Sequence, residues 1–94
     1  MRQLVITPKF KRSFRKLVLP NPQLQERIED TLEQMQEDIF LPRLTTHSLE
    51  GELSGLSACS CGYDCRIVFS LETDRQTEEE VIILLDIDIH HELY

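Results

Sequence analysis

The sequence predicts a single α+β domain in which two helices pack on one face of a mainly antiparallel β-sheet. Two observations predict this fold class. Apolar residues recur every three or four positions between residues 10 and 39, as in helices, and alternate with polar residues from position 43 onward, as in strands. The 94 residues are enough for only one core, so the domain spans 1–94. No element remains to cover the second sheet face, which we expect to be partly open and suited to binding.

A short apolar strand, Gln3 to Ile6, comes first, and a helix follows it. Thr7 and Pro8 form a favourable helix start, because threonine caps free backbone N–H groups and proline fits the first helical position. Helical spacing then gives one apolar stripe, which consists of Phe10, Phe14, Leu17 and Val18. The opposite side of this helix is basic and carries Lys9, Lys11, Arg12, Arg15 and Lys16.

A second helix begins directly after the first. Asn21 is its predicted N-cap and Pro22 its first residue, and Pro42 lies at or just after its end. Its apolar stripe consists of Leu24, Ile28, Leu32, Met35 and Ile39. The turn between the two helices is short, so we expect an antiparallel helical hairpin.

The remainder of the chain is predicted to form strands at 47–49, 53–61, 64–71 and 81–89. Gly62 and Tyr63 provide a turn, and residues 73–80 form a polar loop. The last strand is apolar on both faces, which is typical of a central strand. The final residues, 90–94, form a short tail.

Charge is distributed unevenly along the chain. The net charge is −7, but the first seventeen residues contain six bases and no acid. At physiological salt, charges more than about 10 Å away are largely screened. A local basic patch can therefore bind nucleic acid even on an acidic protein. The basic side of the first helix is therefore a candidate surface for RNA phosphates, although it is equally consistent with a solvated helix face. The sequence contains no signal peptide or membrane-spanning run, and we expect a cytosolic protein without a membrane partner.

The three cysteines, Cys59, Cys61 and Cys65, lie within seven residues of one another. An odd number without a signal peptide favours reduced thiols over a disulfide framework. Their spacing lacks the Cys-x-x-Cys pair that is usual in zinc sites, although a histidine could complete a ligand set. Buried thiols are the commoner interpretation. We predict no metal or other cofactor.

Five segments, in their order along the chain, resemble the RelE/ParE superfamily of type II toxins, and within it the YafQ-like ribonucleases. These segments are Phe10 to Leu17, Thr46 to Gly51, Leu53 to Leu56, Asp64 to Phe69 and Leu84 to Tyr94. The resemblance covers nearly the whole chain and implies a RelE-like fold. It implies a metal-free endoribonuclease that cuts messenger RNA on the ribosome and leaves a 2′,3′-cyclic phosphate. It also implies a cognate antitoxin as partner.

Cleavage of RNA by its own 2′-hydroxyl needs a base, an acid and positive charge near the phosphate. The resemblance assigns proton transfer to His90 and His47, phosphate contact to Arg66, a further functional role to Asp64, and RNA stacking to Tyr94. Each has a structural alternative: solvent exposure for the histidines, an ion pair with Asp86 or Asp88 for Arg66, a turn for Asp64, and a C-terminal anchor for Tyr94.

The sequence departs from the YafQ-like pattern at three positions. Ser60 replaces a histidine, Asp86 replaces an arginine, and Asp88 replaces a glycine. A carboxylate repels phosphate by about 1 kcal/mol at 4 Å even in water. Because of these carboxylates we keep an alternative: a fold relative without nuclease activity, which acts as a ParE-like gyrase inhibitor or as a catalytically decayed antitoxin-binding protein. The oligomeric state is not predicted.

Overall fold

The computed structural model describes residues 2–62 and 64–89, and it confirms the predicted α+β class. Within these residues, two helices pack on a five-stranded mixed sheet of order β1-β5-β4-β3-β2, in which only the β1–β5 pair is parallel. The strands are β1 Gln3–Ile6, β2 His47–Ser48, β3 Ser57–Ser60, β4 Cys65–Thr73 and β5 Glu80–Ile89. The helices are α1 Pro8–Val18 and α2 Pro22–Glu37, and short 3-10 turns lie at Pro42–Leu44 and Gly51–Leu53.

Both helices begin where the sequence predicts. The Thr7 side chain accepts a hydrogen bond from the Phe10 backbone N–H, and the Asn21 side chain accepts one from Leu24. The Thr7 hydroxyl also donates to the carbonyl oxygen of Leu84 at 2.7 Å. One cap residue therefore both starts α1 and joins it to β5.

The core lies between the helices and one face of the sheet, which we call the helix-covered face. Burial of apolar surface here is the main force that holds the two layers together. The helices contribute Phe10, Val18, Leu24, Ile28 and Met35. The sheet contributes Cys59, Cys61, Cys65, Ile67, Phe69, Ile82, Leu84 and Ile87.

The strand predicted at 53–61 begins later than expected. Leu53 belongs to a 3-10 turn, and β3 covers only Ser57–Ser60. Gly51 and Gly55 have φ values of 70° and 94°, which lie in the left-handed region and interrupt an extended chain. The Leu56 N–H instead donates to the Leu53 carbonyl at 3.0 Å, which closes a compact loop before β3.

β5 is central, as predicted, because it pairs with β1 on one side and β4 on the other. Its register with β4 shifts between Val68 and Phe69: Phe69 lies opposite Leu84, whereas Val68 lies opposite Asp86. This β-bulge inserts one residue, so Leu84 and Ile87 both reach the core although they are three positions apart.

The second sheet face, which we call the open face, is partly exposed, as expected. Along β4, Cys65, Ile67 and Phe69 are buried under the helices, whereas Arg66 and Val68 between them are half-buried on the other side. Among the described residues, neither helix combines the length and apolar character that crossing a lipid bilayer requires.

Candidate functional site

The open face carries two neighbouring rows of side chains that include candidate site residues. Residues directly opposite one another on adjacent strands project from the same face. One row runs through Ser60, Arg66 and Asp88, and the other runs from His47 through Ala58 and Val68 to Asp86 at the β5 end. The structure therefore brings His47 and Arg66 onto one face of the sheet.

His47 and Arg66 lie two strands apart and two residues apart along the strand direction. Strand spacing of about 4.8 Å and a rise of about 3.4 Å per residue separate their Cα atoms by roughly 12 Å. No hydrogen bond joins the two side chains in the described part of the chain. Any joint action of the two residues would need a substrate that lies between them.

Arg66 has an unsatisfied hydrogen-bond donor. Its Nε atom is buried and has no hydrogen-bond partner among the described residues. Asp88 lies opposite it on β5, but within residues 2–62 and 64–89 Arg66 forms no ion pair. The alternative ion pair with Asp86 or Asp88 is therefore not formed. Leaving such a donor unpaired costs roughly 1–3 kcal/mol, which an oxygen-rich ligand such as a phosphate would recover.

His47 is exposed, and one of its ring nitrogens is engaged. Its Nδ1 lies 3.0 Å from the Thr45 carbonyl oxygen. A carbonyl only accepts hydrogen bonds, so the neutral ring carries its proton on Nδ1 and leaves the lone pair of Nε2 available. This is the tautomer in which a histidine accepts a proton at Nε2.

Thr45 is a residue that sequence reasoning missed. Its φ of 46° lies in the left-handed region, which is strained for a β-branched side chain. Its hydroxyl lies 2.7 Å from the hydroxyl of Ser60, the neighbour of Arg66 on the open face. Thr45 thus links the His47 end of the site to the Arg66 row. No pattern in the sequence indicates a left-handed threonine, so only the structure identifies it.

The two carboxylates of β5 occupy different environments. Asp86 is directed toward α1, where its Oδ1 accepts from Ser13 at 2.9 Å and its Oδ2 lies 3.4 Å from the Lys9 ammonium. Asp88 is exposed, and it accepts from the adjacent Ile89 N–H at 2.8 Å. Asp86 is thus neutralised from the helix layer, and Asp88 remains as the acidic neighbour of Arg66.

Asp64 lies apart from the His47 and Arg66 rows. Its Oδ1 is 3.1 Å from a guanidinium nitrogen of Arg27, which belongs to α2. The carboxylate is therefore held by the helix layer rather than by the open face. The predicted site residues His90 and Tyr94 lie outside the described residues.

The basic residues of α1 form a separate surface. All five are exposed on α1, which packs against β5, and Lys9 reaches Asp86 of that strand. Two of them, Lys11 and Arg15, flank an apolar groove of about 390 Å³ between the helices. The groove walls include Ile6, Phe10, Phe14 and Leu32. α1 thus presents a second candidate RNA-binding surface, besides the open face of the sheet.

The cysteines are buried free thiols with different acidities. The Cys65 hydrogen bond, together with Thr31 and Arg27, outweighs burial and lowers the pKa of Cys61 to about 7. Burial, reinforced by Cys61, raises the pKa of Cys59 to about 12, and donation to Cys61 raises the pKa of Cys65. In the described ranges, no three Cys, His, Asp or Glu side chains are arranged to hold a metal ion.

No protein-family model matches the chain, and no curated protein matches it either. Solved structures do resemble it. A YoeB/ParE toxin from Agrobacterium tumefaciens matches with a TM-score of 0.75 at 15% identity, over 95% of this chain and 99% of that one. Escherichia coli YafQ matches with a TM-score of 0.70 at 13% identity, over 100% and 99% of the two chains.

A Helicobacter pylori toxin, solved as a copper-bound point mutant, matches over 100% of both chains, with a TM-score of 0.69 at 24% identity. Another match is a heterotetrameric YoeB–YefM toxin–antitoxin complex from Staphylococcus aureus, at a TM-score of 0.69 and 12% identity, over 97% of this chain and 99% of that one. At these identities the likeness is one of fold. The chain has the fold of the RelE/ParE-like toxins, which includes YafQ.

Proposed function

We propose that this protein is the toxin of a type II toxin–antitoxin pair and that it cuts messenger RNA on the ribosome. The observation that carries the proposal is the placement of Arg66 and His47 on one open sheet face, where the Arg66 Nε has no partner among the described residues. The fold shared with RelE/ParE-like toxins supports it.

The proposed reaction is attack of an RNA 2′-hydroxyl on the adjacent phosphorus, which expels the 5′-oxygen of the next nucleotide. One histidine takes the hydroxyl proton and another protonates the leaving oxygen. We assign these steps to His47 and His90 without fixing which is the base. Arg66 stabilises the charge that develops on the phosphate, and Tyr94 stacks on a base. Asp64, which the resemblance also gives a functional role, is paired with Arg27 and has no step in this reaction.

The proposed partners are a cognate antitoxin, the ribosome and messenger RNA, in the cytoplasm. An antitoxin partner is supported by the YoeB–YefM complex among the similar structures. The basic side of α1 would bind ribosomal RNA phosphates. This arrangement would leave the open face free for messenger RNA.

Asp88 favours a second candidate function. It is exposed and lies directly opposite Arg66, so its charge opposes the approach of a phosphate to that row. A toxin that inhibits DNA gyrase in the manner of ParE would need no phosphate at this position. An antitoxin-binding protein that has lost its chemistry would not need one either.

The test is induced expression in a bacterial host without the partner gene, followed by primer extension on a defined transcript. Wild type is compared with His90→Ala and Arg66→Gln, and Arg75→Gln serves as the matched control. Arg75 lies in the β4–β5 loop, outside both rows, and is exposed. We expect growth arrest with in-frame cuts from wild type and Arg75→Gln, and about a hundredfold less cleavage from Arg66→Gln.

The other outcomes contradict this proposal in different ways. Growth arrest with intact messages would indicate that the target is gyrase or another molecule. Cleavage that survives both His90→Ala and Arg66→Gln, at equal protein levels, removes these residues from the site. If neither arrest nor cleavage occurs, the fold persists without toxin chemistry. Asp88→Gly would then be the first reversion to test.

A further inference from the structure

The β3–β4 hairpin places Cys61 opposite Cys65. The last assigned pair of the ladder is Ser60 with Arg66, and Cys61 and Cys65 are the next in register. Their backbones remain joined, because the Cys61 N–H donates to the Cys65 carbonyl at 2.8 Å. Hydrogen-bonded opposite residues have Cα atoms about 5.5 Å apart, which lies in the range that a disulfide spans.

Two groups from α2 surround the Cys61 sulfur. The Thr31 hydroxyl lies 3.4 Å from Cys61 Sγ, and it shares its one proton with the Arg27 carbonyl oxygen, which is closer at 2.9 Å. The Arg27 side chain lies against the hairpin turn so closely that a Cβ on Gly62 would be 2.8 Å from its Nε. Glycine is therefore needed at this turn, whose φ of +87° also favours it. A hydroxyl and a cation beside one sulfur form an environment that stabilises a thiolate.

We propose that Cys61 and Cys65 are a redox modification site, which a peroxide converts to a disulfide across the β3–β4 hairpin and a thiol reductant restores. Cys61 is the attacking sulfur, because it is the one that the hydroxyl and the cation face. Its thiolate is well populated at neutral pH, since its pKa lies at about 7. Cys65 is the resolving thiol.

The reaction balances with hydrogen peroxide or an alkyl peroxide as oxidant. The Cys61 thiolate attacks one peroxide oxygen, so that an S–O bond forms as the O–O bond breaks. The hydroxide or alkoxide that leaves takes up a proton and becomes water or an alcohol. The Cys65 sulfur then attacks the sulfenic sulfur and loses its own proton. An S–S bond forms as the S–O bond breaks and water leaves. The two thiols supply the two electrons that reduce the peroxide.

Cys59 is excluded from this pair by its position. It lies on the same strand as Cys61, two residues away, so the two side chains share a face but are about 7 Å apart. Its cross-strand neighbour is Ile67, not a cysteine. Burial also raises its pKa to about 12, which leaves almost no thiolate at neutral pH.

Oxidation requires that a small peroxide reach the Cys61 sulfur. The sulfur is buried, but the Arg27 and Asp64 side chains above it remain 45% and 41% exposed. Cys65 directly precedes Arg66, so the disulfide would alter the strand that carries the proposed phosphate contact. This regulatory consequence rests on the proposed function, whereas the disulfide itself does not.

The experiment treats reduced protein with hydrogen peroxide, alkylates the remaining thiols under denaturing conditions, and measures intact mass. We expect wild type to lose two of its three alkylatable thiols and to regain both after reduction with dithiothreitol. All three cysteines lie in one tryptic peptide, residues 44–66. A protease that cleaves before Asp64 separates Cys65 from the other two and shows whether Cys65 is in the bond, and the Cys59→Ser variant then identifies its partner.

Variants identify the partners. Cys59→Ser should keep the disulfide and show no free thiol after oxidation. Cys65→Ser should stop at a Cys61 sulfenic acid that a dimedone probe traps. Arg27→Gln leaves all thiols in place and removes one of the smaller contributions that lower the pKa of Cys61, so disulfide formation at pH 7 should slow by roughly threefold.

The proposal is overturned if three thiols remain alkylatable after peroxide treatment, if the bond includes Cys59, or if Arg27→Gln reacts as fast as wild type. These outcomes do not depend on RNA cleavage, so the disulfide and the proposed function fail separately. If Cys65→Ser does not fold, the Arg27→Gln and Cys59→Ser results still decide the question.

Discussion

The two faces of the sheet differ in what they demand of their side chains. Under the helices, β4 contributes Cys65, Ile67 and Phe69, all buried. On the open face, the residues between them, Arg66 and Val68, are half-buried, and Arg66 carries a polar atom without a partner among the described residues. This difference in burial means that every second residue of β4 stabilises the domain, whereas the residues between them are available for binding.

The cysteines complicate this division. They lie on the helix-covered face, where burial alone would keep all three thiols protonated. Cys61 departs from the other two because Cys65 donates to it and α2 places Thr31 and Arg27 beside it. Chemistry is therefore not confined to the open face, and three measurements test how far the two faces differ.

The largest expected effect is the loss of a core side chain. Phe69→Ala should lower the free energy of unfolding by about 3–5 kcal/mol, because it removes a fully buried ring and leaves a cavity. Its neighbour Val68 is the matched control on the open face, and Val68→Ala should cost only about 1 kcal/mol. Urea unfolding measures both. Equal losses would mean that the open face is covered as well as the helix-covered one.

An intermediate effect comes from the pH dependence of stability. The pKa of Cys61 is lowered from 9.0 to about 7 in the folded protein, so its contribution is present above pH 9 and is lost as pH falls through 7. Stability should therefore rise by roughly 1 kcal/mol between pH 7 and 9, after allowance for solvent screening. Above pH 9 it should decline, because the pKa values of Cys59 and Cys65 are raised.

Urea unfolding at several pH values, with thiolate absorbance near 240 nm recorded in parallel, checks this profile. In Cys61→Ser the rise between pH 7 and 9 and the thiolate signal near neutral pH should both disappear. Cys59→Ser is the control that should keep them. A wild-type protein without a neutral thiolate signal would contradict the environment assigned to Cys61.

The smallest effect is expected at Arg66. Arg66→Met removes the unpaired donor while keeping most of the length of the side chain, so the free energy of unfolding should change by less than about 1 kcal/mol, in either direction. Unfolding in urea measures this change, with Arg75→Met as a matched surface control. A loss of about 2 kcal/mol or more would show that Arg66 is a structural residue and would weaken its assignment to phosphate.

Much of the fold follows from local sequence. The caps Thr7 and Asn21 and the prolines that follow them determine where the helices begin, because capping depends on residues only three positions apart. Alternation along β4 predicts that the Arg66 side chain projects away from the helices. The start of β3 could not be predicted, because Leu53 has strand character but lies between two glycines with positive φ.

Less of the candidate site could be predicted. The resemblance singles out His47 and Arg66 as residue types, and their positions on one face depend on the pairing of β2, β3 and β4. Thr45 carries no signal in the sequence, because its strained backbone is held by the surrounding structure. Asp86 is a candidate partner of Arg66 in the sequence, but in the structure it lies opposite Val68 and its carboxylate contacts Lys9 and Ser13 of α1.

The sequence by itself determined the α+β class, both helix starts, the central position of β5 and the basic side of α1. These properties depend on periodicity and on neighbours within one turn. Only the tertiary structure decided which distant residues share a face or lie in contact: His47 and Arg66 on the open face, Cys61 opposite Cys65 across the hairpin, and Asp86 against α1. Strand register and helix packing bring together residues that are far apart in the chain, and no local sequence pattern encodes these pairings.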